Sequence, residues 1–212
     1  MNFEFQKHVF KYPGLESILE KAIIYFAETP VHHLPPPEDF IGPGVYGLYY
    51  IGDYESYEPI ADPEYNKPIY IGKAVPPGAR TARTLGGASS NLIGRLREHT
   101  ENIEAVSNLK IEDFRCRFMV LDGVERDLIV PVESQLIRTH QPLWNTCISG
   151  FGIHTPGKGR FGQQPSQWDT LHPGRPWLKN LTGKPRDIVA LQAEIKRCIE
   201  KPLPPEQVSF FH

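Results

Sequence analysis

The chain has 212 residues, 40% of them hydrophobic, which suits one domain with additions and a core of ordinary size. Its longest apolar runs, such as Ala22-Ile23-Ile24-Tyr25-Phe26, are far too short to cross a membrane, and Met1-Asn2-Phe3-Glu4-Phe5 lacks the pattern of a secretory signal. The net charge of −2 is segregated: residues 1–67 hold 4 basic and 11 acidic side chains, residues 73–117 hold 8 and 5, and residues 147–186 hold 6 and 1. Two basic segments on an acidic chain can build a face that attracts phosphate, or can simply be solvated loops.

Leu15, Ile18, Leu19, Ala22, Ile23 and Phe26 recur at helical spacing, so residues 14–28 read as an amphipathic helix. Thr29-Pro30 and Pro35-Pro36-Pro37 end it in a stiff, extended connector. Val45-Tyr46-Gly47-Leu48-Tyr49-Tyr50-Ile51 and Ile69-Tyr70-Ile71 read as two strands joined by a polar loop over 52–67, close enough to pair. A long Gly/Ser-rich loop carrying Arg80 and Arg83 follows, then a helix from Asn91 to about Ser107. On that helix Arg95 and His99 lie one turn apart on one face. Phe114 to Leu121 reads as a third strand. Pro131 suits the first turn of a helix reaching His140, which puts Glu133 in that first turn too. Residues 148–186 are rich in Gly, Pro, Trp and basic side chains, with Phe151, Trp168 and Trp177 as anchors, and a last helix spans 187–200. Cys116, Cys147 and Cys198 are odd in number and widely spaced, so neither a disulfide framework nor a zinc site is indicated and a reducing cytoplasm is expected.

In order, the chain presents Gly44-Val45-Tyr46, Tyr70-Ile71-Gly72, Lys73, the Arg95/His99 helix face, Val132-Glu133-Ser134 and Pro142-Leu143-Trp144-Asn145. This series resembles the GIY-YIG nuclease superfamily over about residues 44–146. The resemblance implies an α+β fold with a small antiparallel or mixed central sheet flanked by helices. Around it we expect three regions: an N-terminal helical arm with its connector (1–40), the nuclease core (41–147), and a basic C-terminal extension with its helix (148–212). It also implies a catalytic set of Tyr46, Tyr70, Lys73, Arg95, His99, Glu133 and Asn145. Glu133 would be the metal ligand, a hard oxygen donor suited to one Mg²⁺, with Mn²⁺ able to substitute. Arg95 offers a fork of donors to a phosphate. Tyr46 looks like the general base or its relay; a free phenol titrates near 10, so it needs cationic neighbours such as Lys73 or a route through metal-bound water. His99 would donate to phosphate or orient a tyrosine, while Tyr70 and Asn145 would orient groups rather than move protons.

The chain shows no zinc finger or helix-hairpin-helix around this core, and so looks like a type II restriction endonuclease of the GIY-YIG class. The segments Thr29 to Pro37 and His154-Thr155-Pro156-Gly157 resemble the branch that cuts a GC-rich palindrome of the CCGCGG type. Double-stranded DNA is the expected partner, gripped by Arg80, Arg83, Arg115, Arg117, Lys158, Arg160 and Arg175. A homodimer is expected, with no membrane and no organic cofactor. The alternatives are a structure-selective or repair nuclease, and a DNA-binding or protein-interaction module without catalysis.

Overall fold

The computed structural model describes residues 3–75 and 91–202, excepting the side chains of Asn91 and Lys158. Four strands form one sheet: β1 (His32–His33), β2 (Gly44–Tyr50), β3 (Pro68–Ala74) and β4 (Phe114–Val120). Their order is β1-β4-β2-β3 and every pairing is antiparallel, so β2 is central and β3 lies at one edge. Tyr46 stands opposite Gly72, and Leu48 opposite Tyr70. Residues two apart along a strand share a face. Tyr46 and Tyr70 are therefore diagonal neighbours on one side of the sheet, while Val45 and its partner Lys73 point to the other.

Helices cover both faces. They are α1 (Gly14–Glu28), α2 (Asn91–Glu104), α3 (Ile129–His140), the short α4 (Leu143–Thr146) and α5 (Gln167–Leu171), and α6 (Ile188–Glu200). One core cluster joins Tyr46, Leu48 and Tyr50 to Leu92 and Leu96 of α2, Trp144 of α4, Trp168 of α5, and Leu191 and Ile195 of α6. A second joins Val45, Ile71 and Met119 to Leu19 and Phe26 of α1 and to Val132, Leu136 and Ile137 of α3. The fold is α+β, with its sheet sandwiched between these clusters.

Several expectations need correction. The α3 helix begins at Ile129, so Glu133 falls in its second turn, beyond the reach of helix N-terminal charge effects. The proline-rich connector contributes β1, two residues paired to Cys116 and Arg115 at the sheet's far edge. Cys147 and Cys198 form a disulfide, against the expectation drawn from their spacing. It ties the end of α4 to α6, while Cys116 stays a buried thiol. No described helix is long and apolar enough to cross a membrane.

Arg175, expected to meet DNA, is fully buried instead. Its Nε donates to Asp169 at 2.5 Å, and its two terminal nitrogens donate to the carbonyls of Gly150 (2.9 Å) and Phe151 (3.1 Å). Its guanidinium also lies over Trp168 and Trp177, 4.7 and 4.4 Å from the ring centres. A cation removed from water must be paired and hydrogen-bonded, and breaking such a pair costs about 3–5 kcal/mol. The same group has no face left for a phosphate.

Candidate active site

The site is built around the edge strand β3, with chemistry on both of its faces. On the α2 side the Tyr46 hydroxyl lies 2.7 Å from Nε2 of His99, and both side chains are fully buried. Gly72 makes this packing possible, because a β-carbon there would collide with the Tyr46 ring and hydroxyl. Tyr70 completes the cluster, its ring centre 6.2 Å from that of Tyr46 and 5.3 Å from that of His99.

Burial dominates the electrostatics here. It raises the Tyr46 phenol well above its ordinary value, with Tyr70 adding to the rise and the Arg95 guanidinium opposing it. Tyr70 is pushed up to about 12, also by burial. His99 is driven well below the usual imidazole range by burial and then by the charges of Arg95 and Arg175. All three rings are therefore neutral near pH 7. A neutral imidazole has one donor and one acceptor nitrogen. The Tyr46 contact satisfies Nε2, and Nδ1 has no hydrogen-bond partner among the described residues.

Arg95 sits at the rim of this cluster. Its guanidinium pairs with Glu98, one turn along α2, and donates to the Gly152 carbonyl at 3.3 Å, with Nε2 of His154 at 3.2 Å. The pairing with Glu98 follows the i,i+3 spacing of the helix, a signal already present in the sequence.

On the α3 side Lys73 forms a salt bridge with Glu133. The Glu133 carboxylate is mostly buried, and the Lys73 side chain is about a quarter exposed. Asn145 links the faces. Its Oδ1 accepts from the Ile71 amide at 2.7 Å and its Nδ2 donates to the Ile71 carbonyl at 2.8 Å. Ile71 lies on an edge strand, so its outward amide and carbonyl would otherwise lack a ladder partner. The asparagine side chain imitates one residue of a neighbouring strand.

A cavity of about 1110 Å³ opens between the faces, lined by Tyr46, Tyr70, Lys73, Arg95, Glu133 and Asn145 among others. His99 does not line it and reaches it only through its contact with the Tyr46 hydroxyl. Arg160, His154, Gln163 and Ser149 of the C-terminal extension form part of the wall. Of these the sequence points to Arg160 as a DNA contact and to His154 only within the His154-Thr155-Pro156-Gly157 resemblance; Gln163 and Ser149 carry no spacing signal.

The remaining basic residues divide. Arg115 donates to the Glu112 and Phe114 carbonyls, and Arg117 to those of Ala27 and Thr29, fastening the end of α1. Neither lines the cavity. Arg80, Arg83 and the Lys158 side chain lie outside the described residues. No group of three His, Cys, Asp or Glu side chains suited to a metal occurs among the described residues, so a metal here would rest on the Glu133 carboxylate with oxygens from water or phosphate. That donor set suits Mg²⁺, which commonly takes one or two carboxylates beside substrate phosphates.

Two tyrosines on adjacent strands, an arginine on the following helix, a glutamate on the next and an asparagine pinning the edge strand define a nuclease domain of the GIY-YIG class. The Eco29kI GIY-YIG domain family, a family of restriction endonucleases, matches residues 38–199, and the chain belongs to it. The match runs through the C-terminal extension to the end of α6. No curated protein matches the chain.

Proposed function

We propose that the chain is a type II restriction endonuclease that hydrolyses phosphodiester bonds of double-stranded DNA at a GC-rich palindrome, with Mg²⁺, within a restriction-modification system. The observation that carries this reading is the single cavity in which Tyr46, Tyr70 and Arg95 from one face of β3 meet Lys73 and Glu133 from the other. Such a cleft supplies the three needs of the reaction: a proton acceptor, donors for a phosphate gaining charge, and a seat for a metal.

Because burial keeps Tyr46 protonated, it acts as a relay. Its oxygen takes the proton of the attacking water as its own proton passes to a phosphate oxygen in the cavity. His99 stays neutral and holds the hydroxyl through Nε2, so no phenolate need exist in advance and no charge is left among the rings. Arg95 turns from Glu98 to the scissile phosphate and stabilises its added charge. Lys73 steadies the Glu133 carboxylate and contributes positive charge to the phosphate. Glu133 would hold the Mg²⁺ ion, which would supply polarisation of the phosphate and stabilisation of the leaving oxygen. Asn145 and Tyr70 keep β3 and the ring cluster in register.

Arg160 at the cavity wall, with Lys158 beside it in the chain, is assigned to DNA phosphates. Arg80 and Arg83 keep their assignment to DNA from their place between β3 and α2, and guanine reading by arginine suits a GC-rich site. One centre attacks one strand, so a break at a palindrome calls for a homodimer with matching two-fold symmetry. Leu15, Ile18, Ile24 and Tyr25 of α1 are exposed and offer a contact surface. The cytoplasm, where such DNA is met, is the proposed location.

Digestion of a plasmid of known sequence with Mg²⁺, followed by sequencing of the ends, tests the reading. Discrete fragments with ends in one GC-rich palindrome are expected. Random nicks would favour a structure-selective or repair nuclease, and intact plasmid a binding module. Sedimentation with a specific duplex tests the dimer: one chain per duplex at saturating protein would contradict it.

A further inference from the structure

Three side chains of the proposed centre lean on one short stretch of backbone, residues 150–152. The Phe151 ring stacks on His99, with centres 4.5 Å apart and planes 18° apart, and meets Tyr70 edge-on at 5.0 Å. The next carbonyl, that of Gly152, accepts from Arg95. Gly152 also packs so closely under the Tyr70 hydroxyl that a β-carbon would collide with it. The stretch belongs to no helix or strand. Its shape needs another support, and Arg175 provides one from behind.

The guanidinium of Arg175 works in three directions at once. Two nitrogens hold the carbonyls of Gly150 and Phe151, the third holds Asp169, and the guanidinium lies against the rings of Trp168 and Trp177. Asp169 is itself fixed at the start of α5, where it accepts from Ser166 Oγ at 2.7 Å while its amide donates back to that oxygen at 3.1 Å. A planar fork with several donors can bind all of these groups together, whereas a lysine ammonium is a point charge on a flexible stem. Arg175 never reaches the cavity, and none of its contacts is to the reacting groups.

We propose that Arg175 is a positioning residue for the cleavage centre: it fixes residues 150–152, and through them the orientation of His99, Tyr70 and Arg95. This inference rests on the nuclease reading above for its effect on cleavage, but the brace itself can be tested without it. A basic residue in a Gly- and Pro-rich extension then serves the chemistry from inside the protein rather than by touching DNA.

The test compares wild-type protein with Arg175→Lys, which keeps the charge and loses the fork, and with Phe151→Leu, which keeps the Arg175–Asp169 pair and removes the stacking. Phe151→Leu carries the test if Arg175→Lys does not fold. Single-turnover cleavage should slow about 10–100-fold in either folded variant, the scale of a small misplacement of reacting groups. Affinity for the specific duplex should stay within about threefold, because the lost contacts are not made to DNA. Cleavage at the wild-type rate, or equal losses in binding and cleavage, would overturn the proposal. Amide hydrogen exchange at Ser149 and Trp168, whose amides are bonded beside the stretch, is the readout independent of activity. It should quicken in Arg175→Lys while β2 stays protected; unchanged exchange there would overturn the brace even if the wild-type protein cut no DNA.

Discussion

On its α2 side, the edge strand β3 faces Tyr46, His99, Phe151 and Tyr70, rings that are largely buried and carry no charge near pH 7; on its α3 side, Lys73 and Glu133 form an ion pair at the cavity wall. The two sides suit different work. A proton can pass between neutral groups in a dry cluster without leaving an unpaired charge there, which would be costly at low dielectric. Phosphate and a divalent cation need formal charges beside an open cavity, where water and substrate oxygens can complete the shell. Asn145 holds the strand between them through both its amide atoms, so the faces keep a fixed relation.

The largest expected effect comes from the charged side. Glu133→Ala should bind a specific duplex and fail to cleave it, because the proposed metal seat has lost its carboxylate. A gel-shift titration paired with a cleavage assay checks both halves, and near wild-type cleavage would remove the metal from this face. The ring side should come next. Tyr46→Phe keeps the ring and loses the relay, which predicts a loss of about 10²–10⁴-fold in single-turnover rate. Arg95→Ala should cost about 10²–10³-fold, as for other preorganised charge donors. A loss below tenfold in Tyr46→Phe would shift proton handling across the strand to Lys73.

The link between the faces should matter less. Asn145→Ala removes two hydrogen bonds to Ile71 and is expected to cost about 1–3 kcal/mol of stability. Its effect on cleavage should be smaller than that of Tyr46→Phe, and chemical denaturation alongside kinetics would separate the two. The smallest effect is on pH dependence. Burial lowers His99 and, to about 3, His172, whose Nε2 meets the buried Tyr57 hydroxyl at 2.7 Å. Below about pH 6.5 the unfolded chain takes up protons that these folded imidazoles refuse, so stability falls with pH, by up to about 1.4 kcal/mol per unit for each. Melting curves between pH 7.5 and 5 should show this slope, and His172→Gln should flatten it. A parallel curve for the variant would count against a buried neutral His172.

The motif residues of both sides were legible in the sequence. Tyr46, Tyr70, Arg95, Glu133 and Asn145 sit in short strings whose order along the chain follows the elements of the fold, and the pairing of β2 with β3, Tyr46 opposite Gly72, brings the tyrosines to one face. What escaped depends on contacts between distant segments. Cys147 and Cys198 are 51 residues apart and show no spacing pattern. Arg175 reads as one more cation in a basic stretch; only its burial beside Asp169 and two tryptophans reveals an interior role. The same limit applies to Arg115 and Arg117, which alternate with core residues on β4 and fasten neighbouring backbone. Net charge by segment counted all of these as surface, and it cannot distinguish a side chain facing water from one folded inward.

The most direct measurement is a crystal structure of the Glu133→Gln variant bound to a specific duplex. The account predicts a scissile phosphate in the cavity over β3, with Arg95 turned from Glu98 onto a phosphate oxygen and a water held between that phosphate and Tyr46, each within about 2.6–3.2 Å. A duplex bound elsewhere on the protein, with Arg95 still paired to Glu98 and the cavity empty of phosphate, would contradict it.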